Sequence, residues 1–255
     1  QGLEATVNGT PRIVVEASDK AMVMTLARGN AVFTDMTDSA IWQKLIGEAG
    51  LTAKVSATSL TQTCVQYHAT PWDFMMLRAQ ANGMVVTVDD AVVSIAAPDT
   101  SSSPVLTLTF GESILDFRGG MDAATQYAAD AIQSIAWDPA TQALATASGA
   151  SAAVDTPGNI SSQSLAGVFG VSAYLQQTPG LVSNTELTAW SSAELMMSRL
   201  AKIRGTVRFQ GSALARPGSM VTLAGLGERF NGNAWVAGVH HRLAEGLWIT
   251  TLELG

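Results

Sequence analysis

The fold of this chain is decided by residues 64–83, which read CVQYHATPWDFMMLRAQANG. Thr70 is a good N-cap residue, and Pro71 takes the first helical position, where its missing N–H costs no hydrogen bond. Asp73 stands at the third position, where a carboxylate can bond back to the cap and favours the positive end of the helix dipole. The pattern therefore predicts a strand followed by a helix over residues 70–82. The predicted face of that helix consists of Phe74, Leu77, Arg78 and Ala81.

The sequence on both sides of this helix is typical of strands joined by short turns. Residues 11–17 and 21–26 are strand-like and flank a polar turn, which predicts a hairpin. Residues 84–88 and 91–95 are also strand-like and are separated by two aspartates, which predicts a second hairpin. These segments indicate a mainly β protein with some helices, of the α+β class.

Two more helices are predicted from capping signals. Thr37 can cap a short helix over residues 38–48, with Gly50 in the usual position just after the end. A Ser-Asn-Thr-Glu capping box begins a long helix over residues 183–204, and Gly205 is predicted to end it.

The remaining sequence contains one ambiguous segment and a β-rich end. Residues 126–137 match the helical period and the strand period equally well, so periodicity leaves both structures open. Four strands separated by glycine-containing turns are predicted in the last fifty residues. These strands comprise residues 206–209, 220–224, 234–241 and 247–254.

The composition favours a subunit that buries part of its surface against other chains. Hydrophobic residues make up 47% of the sequence and charged residues 14%, compared with a usual charged share of about 25%. So little charge is poorly suited to a fully solvated surface. The net charge of −7, without a Lys/Arg cluster, argues against nucleic acid or an anionic membrane as the main partner. No apolar run reaches the roughly 18 residues of a membrane-spanning helix.

Motifs of the common catalytic and cofactor sites are absent from the sequence. There is no Gly-x-Ser-x-Gly nucleophile elbow, no phosphate-binding loop and no dinucleotide fingerprint. His240 and His241 are adjacent on a predicted strand, so their side chains should point to opposite faces and cannot bind one ion together. Cys64 and His68 share a face but lack partners at a metal-binding spacing. We therefore expect no catalytic residue, no metal site and no cofactor, and we expect that the chain is not an enzyme.

Several segments resemble one known family. Residues 64–83 resemble the "QY…SDWDFLLRLAERNG" segment of VgrG spikes and phage late-control D proteins, relatives of the T-even phage hub. Residues 135–142 resemble the "WDP…Q" segment of that family, and residues 203–248 resemble its glycine-rich C-terminal pattern. The residues that carry the resemblance are Gln66, Tyr67, Trp72, Asp73, Phe74, Gly83, Trp137, Asp138, Pro139, Gly205, Pro217, Gly218, Phe230, Gly232 and His240.

The resemblance implies two antiparallel β-barrel domains of the phage tail hub type with helix-containing insertions, and it favours a strand over residues 126–137. Family members begin with about half a barrel ahead of the point where this sequence starts, so the first barrel is expected to be incomplete here. The expected divisions are remnant strands of the first barrel in residues 1–30, a helix-and-hairpin insertion in residues 31–99 and the second barrel in residues 100–255. The second barrel is expected to contain the long helix, over residues 184–204.

The resemblance also implies a function. The chain would be a structural hub or spike-base subunit of a contractile injection system, either type VI secretion-like or an extracellular contractile particle, joining the tube to the puncturing spike. Three copies would form a ring through their barrel edges, or would do so once the missing N-terminal half-barrel is restored. The expected partners are a hexameric tube protein, a spike or needle and baseplate components, with no nucleic-acid specificity and no membrane span. Assembly would take place in the bacterial cytoplasm, with ejection of the chain on firing as a further expectation.

Other functions stay open at this point. The tail hub of a contractile phage is a close variant, and no feature of the sequence separates it from the injection system. From other classes, the alternatives are a carbohydrate-binding or adhesive β-domain and a hydrolase. An adhesin should be monomeric with aromatic clusters in a groove, and a hydrolase should show a convergent titratable site.

Overall fold

The computed structural model describes residues 2–4, 12–150, 154, 156–178, 180 and 182–255. The helices are α1 (Asp38–Glu48), α2 (Pro71–Ala81), α3 (Ser162–Phe169) and α4 (Asn184–Leu200). The strands are β1 (Gly2–Glu4), β2 (Arg12–Val14), β3 (Gly29–Thr37), β4 (Thr52–Val55), β5 (Thr61–Ala69), β6 (Val85–Asp89), β7 (Val92–Ala96), β8 (Leu106–Thr109), β9 (Ile114–Met121), β10 (Ile132–Asp138), β11 (Ala143–Ser148), β12 (Tyr174–Thr178), β13 (Ile203–Gln210), β14 (Met220–Ala224), β15 (Gly232–Ala244) and β16 (Leu247–Leu254). The prediction of a mainly β protein is confirmed.

The chain divides into two compact units. The first contains Gln1–Leu77 and Val86–Ile95, and the second contains Arg78–Val85 and Ala96–Gly255. In the first unit β3 and β5 form an antiparallel pair, and β4 pairs in parallel with β7, which neighbours β6.

Helix α1 has the predicted bounds and the predicted cap. The Thr37 hydroxyl accepts a hydrogen bond from the Ala40 N–H at 3.2 Å. Ile41, Trp42 and Ile46 on this helix are completely buried, because they form one stripe that faces the core of the first unit. The prediction for residues 38–48 is confirmed.

The predicted hairpin of residues 11–17 and 21–26 is wrong. Pro11 lies outside the described residues, β2 pairs with β1, and Lys20–Thr25 form a 3₁₀ helix. Asp19 caps this helix by accepting a hydrogen bond from the Ala21 N–H at 2.8 Å. Ala21 and Met24 are both buried. That spacing of three residues matches a 3₁₀ turn, whereas strand alternation would have buried Ala21 together with Val23.

Helix α2 also begins as predicted, but a different face is buried. The Thr70 hydroxyl accepts a hydrogen bond from the Asp73 N–H at 3.0 Å, which confirms the cap. Phe74, Met75 and Ala79 are buried, whereas Leu77 of the predicted face is 63% exposed. The buried face of α2 is therefore formed by Phe74, Met75 and Ala79. The Phe74 ring stacks on the Phe33 ring, with 5.6 Å between the ring centroids.

Replacing Phe74 with Ala is expected to lower the free energy of unfolding by about 3–5 kcal/mol, because it leaves a cavity beside Phe33. Leu77→Ala is the matched control on the same helix, with an expected change within about 0.5 kcal/mol because the Leu77 side chain is exposed. Chemical denaturation of both variants measures the difference. Equal losses would contradict the burial of Phe74.

In the second unit, β10 pairs antiparallel with β11 and parallel with β12. One face of this sheet contacts α4 through a buried polar network. The Ser134 hydroxyl donates to the Gln176 side-chain carbonyl at 3.0 Å, and the Ser191 hydroxyl on α4 donates to Ser134 at 2.7 Å. Buried polar groups that are paired in this way fix the register between helix and sheet.

The ambiguous segment is resolved into two parts. Residues 132–137 lie in β10, as the strand interpretation requires. Residues 126–128 have no regular secondary structure, and residues 129–131 form a turn. Gln126 is buried, and its side-chain amide donates to the Ser198 carbonyl at 2.5 Å. This anchor holds residue 126 against the end of α4, so the strand begins only at Ile132.

Helix α4 begins as predicted and ends earlier than predicted. The Ser183 hydroxyl accepts a hydrogen bond from the Glu186 N–H at 3.2 Å, which confirms the cap. The helix ends at Leu200, and Ile203 already starts β13, so the predictions of a helix to Arg204 and an end at Gly205 are wrong. The strand begins here because Ile203 is buried and pairs with Met121 of β9.

A curled six-stranded sheet forms the core of the second unit, with the order β8-β14-β15-β16-β13-β9. It contains the four strands predicted near the C-terminal end. Every strand of the sheet contributes buried side chains to one core, so the sheet curves around that core as a half-barrel. The core residues are Leu108, Ile114, Val207, Phe209, Ala215, Val221, Leu223, Ala234, Val236, Leu252 and Leu254.

Gly205 marks the closest backbone approach within this sheet. It pairs with Gly119 of β9, and a Cβ atom on Gly205 would lie 2.1 Å from the Arg118 carbonyl oxygen. Backbone cannot move away as a flexible side chain can. A side chain at position 205 would therefore push β9 away from β13.

Gly205→Ala is expected to lower the free energy of unfolding by about 1–3 kcal/mol through this overpacking. Gly120→Ala is the matched control, because a Cβ there meets no atom within 4 Å. The control should be neutral or slightly stabilising, since alanine reduces the entropy of the unfolded chain. Denaturation midpoints of both proteins decide the prediction, and a neutral Gly205→Ala would contradict the close approach.

Candidate functional site

The motif residues around α2 have mostly structural surroundings. Gln66 is buried, and its side-chain amide donates to the Ala69 carbonyl at 2.8 Å at the end of β5. Gly83 follows α2 with a φ of 65°, and its Cβ position lies 3.2 Å from Ala193 of α4. Asp73 is exposed at the first turn and Trp72 is half-buried. Tyr67 differs from the others, because its side chain is 81% exposed.

The Trp137-Asp138-Pro139 motif forms the end of β10 and the turn that follows. Asp138 accepts hydrogen bonds from the Thr141 hydroxyl at 2.8 Å and from the Ala140 N–H at 2.9 Å. The hydrogen bond from Thr141, and to a smaller extent the one from Ala140, holds the pKa of the Asp138 carboxyl below its ordinary value. Pro139 lies in the turn itself. This motif therefore builds the β10–β11 hairpin.

The C-terminal motif residues lie in turns and packing contacts of the half-barrel. Pro217 and Gly218 form the turn before β14, and Phe230 packs edge-to-face against Phe117 at 5.4 Å. Gly232 starts β15 with its Cβ position 3.3 Å from Pro157. His240 is exposed on β15. The structure thus distributes the sequence-predicted residues over both units and does not gather them into one pocket.

The histidines and the single cysteine do not form a metal centre. Within the described residues, no group of three or more His, Cys, Asp and Glu side chains could hold a metal ion. His241 Nδ1 accepts a hydrogen bond from the Trp248 indole at 3.3 Å and lies 2.9 Å from the Thr250 hydroxyl. His240, the next residue on the strand, points to the other face of the sheet.

No helix of the described part of the chain is long and apolar enough to cross a membrane.

One titratable cluster lies beside α4. Burial raises the pKa of the Glu194 carboxyl above its ordinary value of 4.5. The pKa of Tyr127 is raised mainly by burial, and further by the charges of Tyr174, Glu194 and Asp122. The pKa of Tyr174 is raised mainly by the charge of Glu194, and further by burial. The two tyrosine rings are 4.7 Å apart. Sequence reasoning missed this cluster, because its members come from separate segments that only the fold brings together.

Three surfaces of the chain each carry a group of exposed apolar side chains. On the outer side of the β3–β5 pair, Val32 pairs with Val65 and Tyr67 lies nearby on the same strand face. On the β10–β11–β12 sheet, the face away from α4 carries Trp137, Leu144 and Leu175. At the end of the β15–β16 hairpin, the exposed residues are Leu243, Leu247 and Trp248. Apolar patches of this kind on a protein surface are typical of protein–protein contact sites.

A cleft of about 400 Å³ adjoins the third surface, on the outer face of the half-barrel. Leu247 and Ile249 provide apolar lining, and Arg208, His240 and Arg242 provide polar lining. Glu245 and Thr251 complete the polar lining, so the cleft combines cationic, acidic and apolar groups. His240 and Thr251 occupy paired positions of β15 and β16, so an imidazole and a hydroxyl lie on the same wall of the cleft.

Comparison with known proteins identifies a family and a fold. The profile of the family described as the Alg8 N-terminal domain matches residues 1–245. A solved 43 kDa tail protein of prophage MuSo2 from Shewanella oneidensis is similar over 93% of this chain and 71% of its own, at 12% identity and a TM-score of 0.67. A tail protein from Neisseria meningitidis MC58 is similar over 92% and 71%, at 14% identity and a TM-score of 0.65.

A third solved structure, the prophage tail protein gp18 from Listeria monocytogenes EGD-e, is similar over 92% of this chain and 70% of its own, at 8% identity and a TM-score of 0.53. No curated protein matches the sequence. The chain therefore has a fold that is found in phage tail proteins.

The raised pKa of Glu194 predicts a pH dependence of stability. The folded state favours the protonated Glu194 carboxyl. The contribution of this carboxyl to the free energy of unfolding is therefore present at low pH, and it is lost as pH rises from 4.5 through the higher pKa of the folded state. Glu194→Gln should therefore melt at a higher temperature than the wild type near neutral pH, and the gap should close at about pH 4. Thermal unfolding between about pH 4 and pH 8 measures this.

Asp138→Asn is the matched control, because the pKa of Asp138 is lowered. This variant should melt below the wild type near neutral pH, with the gap narrowing as pH falls. A change of the melting temperature in the same direction for both variants near neutral pH would contradict the burial of Glu194.

Proposed function

The chain belongs to the Alg8 N-terminal domain family, and from its similarity in fold to tail proteins we propose that it is a structural subunit of a phage-tail-like particle. The similarity to tail proteins over 93% of the chain is the observation that carries the proposal. Three exposed apolar surfaces add to it, since an assembly would cover them.

In finer terms, we propose a hub or spike-base subunit of a contractile injection system, of the VgrG and late-control D type. Its partners would be two further copies of itself, a hexameric tube protein, the spike or needle, and other baseplate components. The half-barrel of the second unit is one ring-forming module in this proposal. A second barrel, completed around the first unit, would supply the other module. Assembly would take place in the bacterial cytoplasm.

The tail hub of a contractile phage is the second candidate. It is favoured by the similar structures, which are two prophage tail proteins and a tail protein from Neisseria meningitidis. Both candidates require the same ring, so they differ in the particle and not in the geometry of this subunit.

We propose that the chain has no enzymatic role. The placement of the motif residues in turns, caps and packing contacts supports this. Hydrolase screens of the purified chain, including glycoside and peptide substrates, are expected to show no turnover.

The ring predicts a definite mass and shape in solution. Light scattering at micromolar concentration should give three times the 26.6 kDa of one chain, and electron microscopy should show three copies around an open channel. The candidate tube protein should stack on one side of this ring. A monodisperse monomer that does not bind the tube protein would overturn the hub proposal, and a monomer that binds glycans would favour the adhesive alternative.

A further inference from the structure

A histidine, a tryptophan and a buried threonine are joined by hydrogen bonds in the β15–β16 hairpin. His241 of β15 and Thr250 of β16 are paired residues, and the Trp248 indole N–H donates to His241 Nδ1 at 3.3 Å. The Thr250 hydroxyl lies 2.9 Å from the same nitrogen. The rings of His241 and Trp248 meet edge-to-face, with 5.6 Å between their centroids. We call these three residues the His241 cluster.

The hydrogen bond from Trp248 requires one protonation state of His241. An indole N–H can only donate a hydrogen bond, so the nitrogen that receives it must carry a lone pair. In the structure His241 is therefore neutral, with its proton on Nε2 and a lone pair on Nδ1. Protonation of Nδ1 would place two N–H groups against each other, and the hydrogen bond between Trp248 and His241 would be lost.

Thr250 can adapt to that protonation, whereas Trp248 cannot. A hydroxyl group both donates and accepts hydrogen bonds. The Thr250 hydroxyl accepts a hydrogen bond from the Ser212 N–H at 3.1 Å and can donate to the Ser212 carbonyl oxygen at 3.5 Å. Its oxygen is then available to accept a hydrogen bond from a protonated Nδ1. The effect of a proton on His241 thus falls on Trp248.

The surroundings of His241 offer no counter-ion for a protonated imidazole. His241 lies in one row with Thr250 and Phe209 on the core side of the sheet, and these described residues include no carboxylate. Arg216, in the loop after β13, is exposed and positively charged. The charged or titratable residues of the adjacent strands and the hairpin turn are Arg208, His240, Arg242 and Glu245, which line the cleft on the outer face, and Glu253, which alternates with the buried Leu252.

The position of the Trp248 indole determines the shape of the exposed apolar group at the end of the hairpin. The indole lies over Gly211, where a Cβ atom would be 2.1 Å from the ring. Trp248 is 39% exposed, and its paired residue Leu243 is 75% exposed. The same group contains Leu247. A movement of the indole would therefore change the apolar surface that these three side chains present.

We propose that the His241 cluster is a pH-sensitive switch of this apolar surface. Near neutral pH the neutral imidazole holds the Trp248 indole in place. Histidine side chains take up a proton between about pH 8 and pH 5, and His241 is exposed to solvent. Protonation of Nδ1 releases the indole and alters the surface that a partner would contact. The switch is a property of this chain alone and does not depend on the particle proposed above.

The indole N–H resonance of Trp248 in two-dimensional proton–nitrogen NMR spectra tests the switch. The chain has six tryptophans, and Trp248→Phe identifies the resonance by removing it from the spectrum. Between about pH 8 and pH 5 the wild-type Trp248 signal should shift toward the position of an indole that is bonded only to water. This shift should be larger than that of the other indole signals, because only Trp248 donates to a histidine among the described residues.

Two variants assign the proton to His241. His241→Asn should abolish the pH-dependent shift, because the amide oxygen can accept the indole hydrogen bond and does not titrate. His240→Asn is the matched control on the opposite face of the same strand, and it should keep the shift. A wild-type Trp248 signal that stays constant between about pH 8 and pH 5 overturns the proposal without any variant. An undiminished shift in His241→Asn, or its loss in His240→Asn, overturns it as well.

Discussion

The close backbone approach between β13 and β9 is the constraint on which the second unit depends. Gly205 and Gly119 pair directly, and a Cβ atom on Gly205 would lie 2.1 Å from the Arg118 carbonyl oxygen of β9. Because β9 lies close to β13, Ile114 of β9 is part of the shared core. Phe117 packs against that core and against Phe230. Two residues without side chains thus allow the half-barrel to complete its core at this end.

Local signals in the sequence predicted the starts of helices well and their buried faces less well. The caps at Thr37, Thr70 and Ser183 were all recognisable, because a cap involves only residues three positions apart. The buried face of α2 was wrong at Leu77, since the helix offered apolar residues on several sides and tertiary contacts chose among them. The end of α4 was missed because pairing of Ile203 with a distant strand overrides local helix propensity.

The candidate interaction surfaces could be predicted only in part. Composition indicated that the chain buries surface in an assembly, but it gave no location. The cleft on the outer face of the half-barrel is lined by residues as far apart as Arg208 and Thr251, so its existence depends on strand order and register. The residues of the family resemblance, by contrast, were easy to find and lie mostly in turns, caps and close contacts. A strong sequence motif in this chain is therefore a marker of its fold, and the surfaces that would bind partners carry weaker sequence signals.

The distribution of polarity suggests how folding and assembly are separated. Each unit buries its own apolar core, around Trp42 and Ile46 in the first and around Val207 and Leu252 in the second, so each core forms within one chain. The surfaces left exposed mix apolar groups such as Leu243 with arginines such as Arg242. In the particle proposed above, partner chains would cover these surfaces, and the binding of partners would add to the stability of the folded state. The free energy of unfolding would then depend on the concentration of the subunits, whereas the two cores would not.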